Sequence, residues 1–258
     1  MNEHSTLHER ADSRVFKQGR WPILGLSIGL LVLITACIVP TIHLPANANP
    51  TIPSGILPFT RPTATMVQLI PVEPRKLTVV TNLNTMGDPG AKVKLDVWED
   101  FQCPACKHYS ENIEPLVVND YVVTGKVFYT FHFYPFLDGG QGESHQAAYA
   151  AMCAAAQGQF WYYHDTLFAN WLGENAGSFT DARLTGMAVA IGLNMDDFNQ
   201  CYKAGTYAAQ VQQDYADGTT RGVQGTPTVM VNGTILTPGY VPSYDQIAQA
   251  IDAALAGK

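Results

Sequence analysis

Hydrophobic and polar residues alternate from Lys92 to Asp100, which is the period of a strand with one buried face. A second segment, Val127 to Phe136, is rich in β-branched and aromatic residues and predicts a neighbouring strand. Residues 104–118 lie between the two, and a helix is the usual connection between neighbouring parallel strands. The pattern therefore predicts a strand–helix–strand unit.

Helical periodicity replaces strand-like alternation over residues 143–218, which are rich in Ala, Gln and aromatic side chains. We expect three to five helices in this segment, inserted between the strands. Asn194, followed three residues later by Asp197, is a candidate N-terminal cap for one of them.

A hairpin and a helix are predicted at the C-terminal end. Residues 228–232 and 234–236 are β-rich and meet at an Asn-Gly turn, a strong hairpin signal. Ser243 and Gln246 have the spacing of a capping box, and helical periodicity then continues to Gly257. The predicted order is strand, helix, strand, helical insertion, hairpin and helix, which is an α/β arrangement.

A long apolar segment, Trp21 to Ile42, carries no charged residue. As a helix it would span roughly 33 Å, enough to cross a bilayer. Four Lys or Arg residues precede it and none follows before Arg61. This charge bias predicts a single transmembrane helix in the cell membrane, with residues 1–20 in the cytoplasm and residues 43–258 outside.

Two other fates of this segment are open. A cleaved signal peptide would release a secreted protein, although the apolar run is longer than the usual core of about 7–15 residues. Ile34 to Cys37 also resembles a bacterial lipobox, which would make Cys37 a lipidated N-terminus. Because the apolar run continues to Pro40, we prefer Cys37 as a small apolar residue of a membrane helix.

Residues 43–75 are rich in proline and poor in charge, which is typical of an extended, semi-rigid linker. This linker would hold a single globular domain, residues 76–258, away from the bilayer. The 258-residue chain is 47% hydrophobic and 14% charged, which suits one domain with a sizeable core. Its formal net charge of −7 argues against nucleic acid as a partner, because nucleic-acid binding normally requires an excess of Lys and Arg.

Cys103 and Cys106 lie where the first predicted strand ends and the helix begins. Pro104 falls in the first helical turn, where its missing N–H costs nothing. The unpaired amides and dipole of a helix N-terminus favour a thiolate, so Cys103 is predicted to attack and Cys106 to resolve the mixed disulfide. A structural zinc site normally needs four ligands, and Cys153 and Cys201 stand alone, so no metal is expected.

Three segments together resemble the DsbA-like branch of the thioredoxin superfamily: Gly87 to Ala91, Asp100 to Cys106, and Gly225 to Thr228. The resemblance covers about residues 77–256. It implies a thioredoxin fold with an inserted helical subdomain, preceded here by the predicted transmembrane helix.

The resemblance also implies roles for two dipeptides near the cysteines. The Thr226–Pro227 peptide bond should be cis, lie against the cysteine pair and bind a substrate strand through its backbone. The dipeptide between the cysteines is Pro104-Ala105, whereas strongly oxidising members often have Pro-His, whose imidazole can stabilise the thiolate. The direction of the reaction therefore stays open at this stage.

The remaining candidate site residues are two acidic residues, two cysteines and three histidines. Glu99 or Asp100 could exchange a proton with Cys106, or could serve as solvated or capping carboxylates. In an oxidising compartment Cys153 and Cys201 are expected to form a structural disulfide, with two separate buried thiols as the alternative. Three histidines are expected to be hydrogen-bonded core or surface residues: His132, His145 and His164.

These features predict an extracytoplasmic thiol–disulfide oxidoreductase that donates disulfides to unfolded or folding exported proteins, without metal or organic cofactor. By the same resemblance, a membrane redox partner would recycle the cysteine pair. A monomer is expected, because the sequence shows no dedicated dimerisation segment. The alternatives are a reductase or isomerase on the same scaffold, and a non-catalytic chaperone or binding module.

Overall fold

The computed structural model describes residues 68–138, 140, 142–238 and 240–258. The predicted membrane helix at residues 21–42, Cys37 and most of the predicted linker lie outside the described residues. Within the part that is described, no helix has both the length and the apolar character that crossing a membrane requires.

A mixed six-stranded sheet organises the fold. Its strands are β1 (Thr81–Asn82), β2 (Thr85–Met86), β3 (Val93–Glu99), β4 (Val127–Phe133), β5 (Thr228–Val231) and β6 (Thr234–Ile235). Their spatial order is β1-β2-β4-β3-β5-β6. β3 pairs in parallel with β4 and antiparallel with β5, so the strand that leads to the cysteines lies at the centre of the sheet.

Both strands predicted from the alternating pattern are present, each slightly shorter than expected. β3 buries Val93 and Val97 on one face and Trp98 on the other. β4 ends at Phe133 instead of Phe136. Pro135 explains the difference, because proline has no N–H to donate to the neighbouring strand.

The described residues form eight α-helices: α1 (Pro104–Asn112), α2 (Glu114–Val117), α3 (Glu143–Ala155), α4 (Phe160–Ala169), α5 (Asp181–Ala190), α6 (Met195–Ala204), α7 (Ala208–Thr220) and α8 (Tyr244–Leu255). α1 and α2, followed by a short π-helical segment at Val118–Val122, make the predicted crossover from β3 to β4. α3 to α7 form the insertion, at the upper end of the predicted three to five helices.

Local caps and a disulfide stabilise the helical insertion. The Asn194 side chain accepts hydrogen bonds from two backbone N–H groups in the first turn of α6, as its sequence position indicates. Gly205 ends the same helix in the left-handed conformation, with φ 60°. Cys153 of α3 is bonded to Cys201 of α6, 48 residues further along the chain. The bridge therefore ties the first helix of the insertion to the fourth.

The C-terminal hairpin and helix match the prediction. Asn232 and Gly233 both have positive φ, 47° and 81°, as a tight hairpin turn requires. Ser243 and Gln246 form a reciprocal capping box at the start of α8. Ile247 and Ile251 are fully buried, so α8 packs its apolar face against the sheet.

Two hydrophobic clusters pack on the two faces of the sheet. The larger one joins β3 and β4 to α1, α8 and the helical insertion. The smaller one contains Trp98, Tyr134, Val223 and Met230. α7 approaches it closely, because a Cβ atom on Gly218 would lie 2.7 Å from the Trp98 ring.

The sequence pattern does not predict the β1–β2 hairpin. Each strand has two residues, which is too short for an alternating pattern to be detected. The hairpin lengthens the sheet beyond β4, where Met86 pairs with Tyr129.

The described end of the predicted linker is bound to the domain. Residues 68–75, called the strap below, lie beside α4. The Ile70 backbone makes two hydrogen bonds with the Asn170 side chain, of 2.7 and 3.0 Å. The Tyr162 hydroxyl donates to the Val72 carbonyl at 3.0 Å. The strap is therefore in contact with the domain that the sequence predicts to begin at residue 76.

Candidate active site

Cys103 and Cys106 occupy the start of α1, immediately after the central strand. Cys103 is the N-cap residue and Pro104 follows in the first turn. Both cysteines are free thiols and both are buried, with 7% of Cys103 and none of Cys106 exposed. The helix therefore presents one slightly accessible sulfur and one enclosed sulfur.

The Cys103 thiol lies against the Thr226–Pro227 loop. The Thr226–Pro227 peptide bond is cis, and the Cys103 Sγ donates to the Thr226 carbonyl at 3.3 Å. A hydrogen bond from the Cys106 thiol lowers the pKa of Cys103 to about 6. Burial opposes this shift, while Thr226 and the backbone amides of Ala105 and Cys106 favour it.

The pKa of Cys106 is shifted in the opposite direction to that of Cys103. Burial raises the pKa of the Cys106 thiol well above its usual value, and both Cys103 and Glu99 add to the shift. At neutral pH Cys106 is therefore a protonated thiol beside an ionised Cys103.

The structure gives Glu99 and Asp100 different surroundings. Glu99 ends β3 with 1% of its surface exposed, and burial raises the pKa of its carboxyl, followed by the charges of Glu114 and Cys103. A hydrogen bond with Cys106 acts in the opposite direction, so the carboxyl lies within reach of that thiol. Neither Glu99 oxygen has a hydrogen-bond partner that meets normal geometry among the described residues.

Asp100 instead fixes the loops around the site. Its carboxylate accepts hydrogen bonds from the backbone N–H groups of Gln102 at 2.9 Å, Phe136 at 3.0 Å and Leu137 at 3.1 Å. Asp100 thus caps backbone N–H groups, whereas Glu99 is the carboxyl beside Cys106. The proton exchange with Cys106 stays a prediction.

Gln102 is a site residue that the sequence analysis missed. Its side chain donates to Ser144 Oγ at 2.9 Å and accepts from the Asn175 N–H at 2.5 Å. The backbone carbonyl of Gln102 accepts a hydrogen bond from the Trp171 indole N–H at 2.8 Å. Gln102 therefore joins the active-site loop to the helical insertion, and its position next to Cys103 was the available sequence signal.

A buried polar cluster lies beneath Cys106. Glu99, Glu114 and His164 each present an oxygen or nitrogen, and these atoms lie within 4.8 Å of one another. Carboxylates and imidazole are common metal ligands. However, the Arg75 guanidinium from the strap already pairs with Glu114 and with Asp165 of α4. A metal ion here would therefore lie close to a buried positive charge.

A groove runs beside the exposed edge of Cys103. Its volume is about 400 Å³, and it is lined by Ala105, residues 224–228, Ile235 and Tyr240, among others. Tyr240 is 79% exposed. The backbone of the cis-proline loop and the apolar groove together suit an extended peptide.

Comparison with known proteins agrees with this geometry. A family model described as Thioredoxin matches residues 80–253. The chain belongs to the thioredoxin family. The matched segment includes both active-site cysteines, the cis-proline and the whole helical insertion, so the family assignment covers the candidate site.

Three individual proteins define the branch more closely. The probable disulfide bond formation protein D of Bacillus anthracis is 26% identical over 173 residues, 66% of this chain and 77% of that protein. Oxidised BdbD from Bacillus subtilis has a TM-score of 0.61 at 24% identity, covering 69% of this chain and 99% of that one. Chlamydia trachomatis DsbA has a TM-score of 0.59 at 22% identity, covering 73% and 99%. The expected DsbA-like thiol–disulfide oxidoreductase is confirmed.

Proposed function

We propose that the chain donates disulfides to exported proteins through the Cys103–Cys106 pair. The observation that carries this proposal is the contrast between the two thiols, since the pKa of Cys103 falls to about 6 whereas burial raises that of Cys106. A stabilised Cys103 thiolate favours the reduced enzyme, which makes the oxidised enzyme a stronger donor of disulfides. The relative named for disulfide bond formation supports the same direction.

The first step is attack by a substrate thiolate on the Cys103 sulfur of the oxidised pair. The Cys103–Cys106 bond breaks, a substrate–Cys103 disulfide forms, and the electron pair moves to the Cys106 sulfur. Because Cys106 is fully buried, its thiolate needs a proton, which the neighbouring Glu99 carboxyl supplies.

The second step releases the product. Another substrate thiolate attacks the substrate sulfur of the mixed disulfide and displaces Cys103 as a thiolate. The low pKa of Cys103 makes it a good leaving group at neutral pH. The substrate leaves with a new disulfide, and the enzyme keeps two electrons as a reduced cysteine pair.

The groove beside Cys103 is the proposed binding site for the substrate chain. Backbone groups of Thr226 and Pro227 lie next to the reacting sulfur, and the residues that line the groove are uncharged. Backbone contacts of this kind bind an extended strand with little dependence on sequence, which suits many unfolded clients.

Location and recycling complete the proposal. The apolar segment at residues 21–42 would anchor the chain in the cell membrane with the cysteines outside, unless it is cleaved or replaced by a lipid at Cys37. A membrane redox partner would then accept the two electrons of the reduced pair. The catalytic unit is proposed to act as a monomer.

The redox potential of the full chain tests the direction of the reaction. The chain is equilibrated with glutathione buffers, and the state of the pair is measured by alkylation and mass spectrometry. We expect a potential closer to about −120 mV, the value of a strong oxidant, than to about −270 mV, the value of a reductant. A potential near the lower figure would favour the reductase or isomerase alternative.

Replacement of the attacking cysteine separates catalysis from client binding. We expect Cys103→Ser to abolish oxidation of a reduced, unfolded test protein. If the variant still protects that protein from aggregation and the wild-type chain never oxidises it, the chaperone alternative is correct.

A further inference from the structure

His164 and Asp165 of α4 form a hydrogen-bonded pair in which His164 is fully buried and Asp165 is partly exposed. The His164 Nδ1 lies 2.9 Å from a carboxylate oxygen of Asp165. Because an ionised carboxylate can only accept, Nδ1 carries a proton and donates it to Asp165. The side chain of His164 has no solvent-exposed surface, and its Nε2 has no hydrogen-bond partner among the described residues.

The free Nε2 points into the acid cluster beneath the cysteines. It lies 3.9 Å from Glu114, and a nitrogen of the same imidazole lies within 4.8 Å of a Glu99 oxygen. One water molecule or a small side-chain rotation spans such a separation. Cys106, Glu99 and His164 therefore follow one another from the active-site helix into the interior.

Asp165, which is bonded to His164, reaches the protein surface. The Asp165 side chain is 15% exposed and lines a surface pocket of about 270 Å³, together with Arg75 and Glu111. Glu99 and Cys106, in contrast, have at most 1% of their surface exposed. The reacting sulfur thus has a short polar connection to water on the side of the strap, away from the substrate groove.

We propose that His164, held by Asp165, carries the proton that Cys106 exchanges with Glu99 to and from this pocket. The inference rests on the proposed function and extends it to the recycling step. When the Cys106 thiol attacks the Cys103–partner disulfide, Glu99 gives its proton to His164 Nε2 and takes the proton of Cys106, while the partner leaves as a thiolate. The Nδ1 proton leaves through Asp165 to water. The same residues return a proton when substrate releases Cys106 as a thiolate.

Charges around the acid cluster support a proton-carrying role for Glu99 and an ionised, positioning role for Asp165. Arg75 pairs with both Glu114 and Asp165, and its charge only partly offsets the effect of burial on the pKa of Glu99. Burial raises the pKa of Glu99, whereas the His164 bond and Arg75 lower the pKa of Asp165 against the effect of its own burial. At neutral pH the exchangeable proton therefore lies on Glu99 while Asp165 is ionised.

The remaining ionisable groups that face Glu99 are buried phenols and the attacking thiol. Tyr109 of α1 and Tyr129 of β4 both have a raised pKa, chiefly because they are buried. They stay protonated across the range in which a thiol and a histidine titrate. Cys103 is ionised above about pH 6.

The test measures attack by Cys106 separately from attack by Cys103. The full chain is reduced, its Cys103 is converted to a mixed disulfide with glutathione, and release of glutathione is followed from pH 5 to 9. We expect His164→Gln to slow release by about tenfold or more near neutral pH and to shift the pH profile upward. The rate at which Cys103 attacks glutathione disulfide should be unchanged.

His132→Gln is the matched control. His132 also contacts two carboxylates, Asp96 at 3.0 Å and Asp214 at 3.5 Å, but it lies on the other face of the sheet. The His132→Gln variant should release glutathione at the wild-type rate. If His164→Gln does not fold, Asp165→Asn provides the second variant, and at least a severalfold slowing is expected because an amide oxygen can accept the Nδ1–H bond but cannot take its proton.

The possible outcomes distinguish this inference from the proposed function. Normal release in folded His164→Gln and Asp165→Asn, with slow release in Glu99→Gln, would overturn the route through His164 and leave the function intact. Loss of disulfide exchange in the wild-type chain would overturn the function itself. Slow release in His132→Gln as well would show a general effect of histidine loss and would also overturn the route.

Discussion

At the scale of single residues, the site depends on two sulfurs three positions apart that differ in proton affinity. Cys103 lies at the helix N-terminus beside the cis-proline loop, while Cys106 lies one turn inside and beside Glu99. The sequence predicts this order, because the N-cap position can be read from the strand end and from Pro104. It also predicts the contact of Pro227 with the pair, but only through the family resemblance.

The lowered pKa of Cys103 should be visible in both reactivity and stability. Alkylation of the reduced chain should rise with a midpoint at about pH 6, with Cys106 unreactive because it is buried. A thiol has a pKa of about 8.5 when unfolded, so the folded chain binds fewer protons between these values. The free energy of unfolding gained from Cys103 is therefore full above about pH 8.5 and lost as pH falls through about 6.

The oxidised chain is the natural control, since its Cys103 cannot titrate. Urea unfolding of the reduced and oxidised chains between pH 5 and 9 gives the difference between their free energies of unfolding. A difference that does not vary with pH would contradict the low pKa of Cys103.

Asp100 should matter for stability and not for proton transfer. Asp100→Ala leaves three backbone N–H groups without their acceptor, so we expect a loss of about 3 kcal/mol in the free energy of unfolding of the oxidised chain. Asp88→Ala is the comparison, because Asp88 accepts a single bond from Gly90 in an exposed turn and should cost less than about 1 kcal/mol. Equal losses would show that the Asp100 bonds contribute little.

Residues of the acid cluster could not be grouped from the sequence. Arg75, Glu114 and His164 are far apart along the chain, and each has an ordinary neighbourhood in the sequence. Tertiary packing alone brings them together beneath Cys106. The sequence analysis accordingly treated His164 as a hydrogen-bonded core or surface histidine, which its bond to Asp165 fits, without indicating the unpaired Nε2.

At the scale of elements, the alternating pattern of β3 determines both faces of the sheet. Its odd-numbered residues build the larger core and end at Glu99, whereas Trp98 builds the smaller core under α7. Strands and caps of this length leave a clear pattern, so β3, β4, the C-terminal hairpin and both side-chain caps were predictable. The two-residue strands β1 and β2 leave none.

The approach of α7 to the sheet should not tolerate a methyl group at Gly218. Gly218→Ala would place Cβ 2.7 Å from the Trp98 ring, so we expect a loss of about 1–3 kcal/mol despite the better helix propensity of alanine. Gly186→Ala on α5 is the matched control, because its Cβ would meet only Leu69 at an ordinary 3.5 Å. That change should be neutral or stabilising by up to about 1 kcal/mol in the same unfolding measurement. A similar effect of both changes on the free energy of unfolding would show that helix propensity, and not the Trp98 contact, determines the result.

At the scale of the whole molecule, the strap is in contact with the predicted catalytic domain. Proline content and low charge predict a free linker up to residue 75, and composition carries no information on whether such a segment binds a neighbouring surface. In the structure Leu69 packs against the core, and Arg75 is paired with one carboxylate of α2 and one of α4. The strap thus belongs to the fold and supplies the cation of the buried acid cluster.

A fragment of residues 76–258 should therefore be less stable than one of residues 68–258. It loses the Asn170 contacts and leaves Glu114 buried without Arg75, and removing one partner of a buried ion pair typically costs about 3–5 kcal/mol. Arg75→Met in the longer fragment keeps the backbone contacts and isolates the charge. If the charge dominates, the variant should lose most of the stability that the truncation loses at pH 7. Equal urea midpoints for all three proteins would mean that the strap is bound without contributing to folding, and that residues 76–258 alone specify the fold.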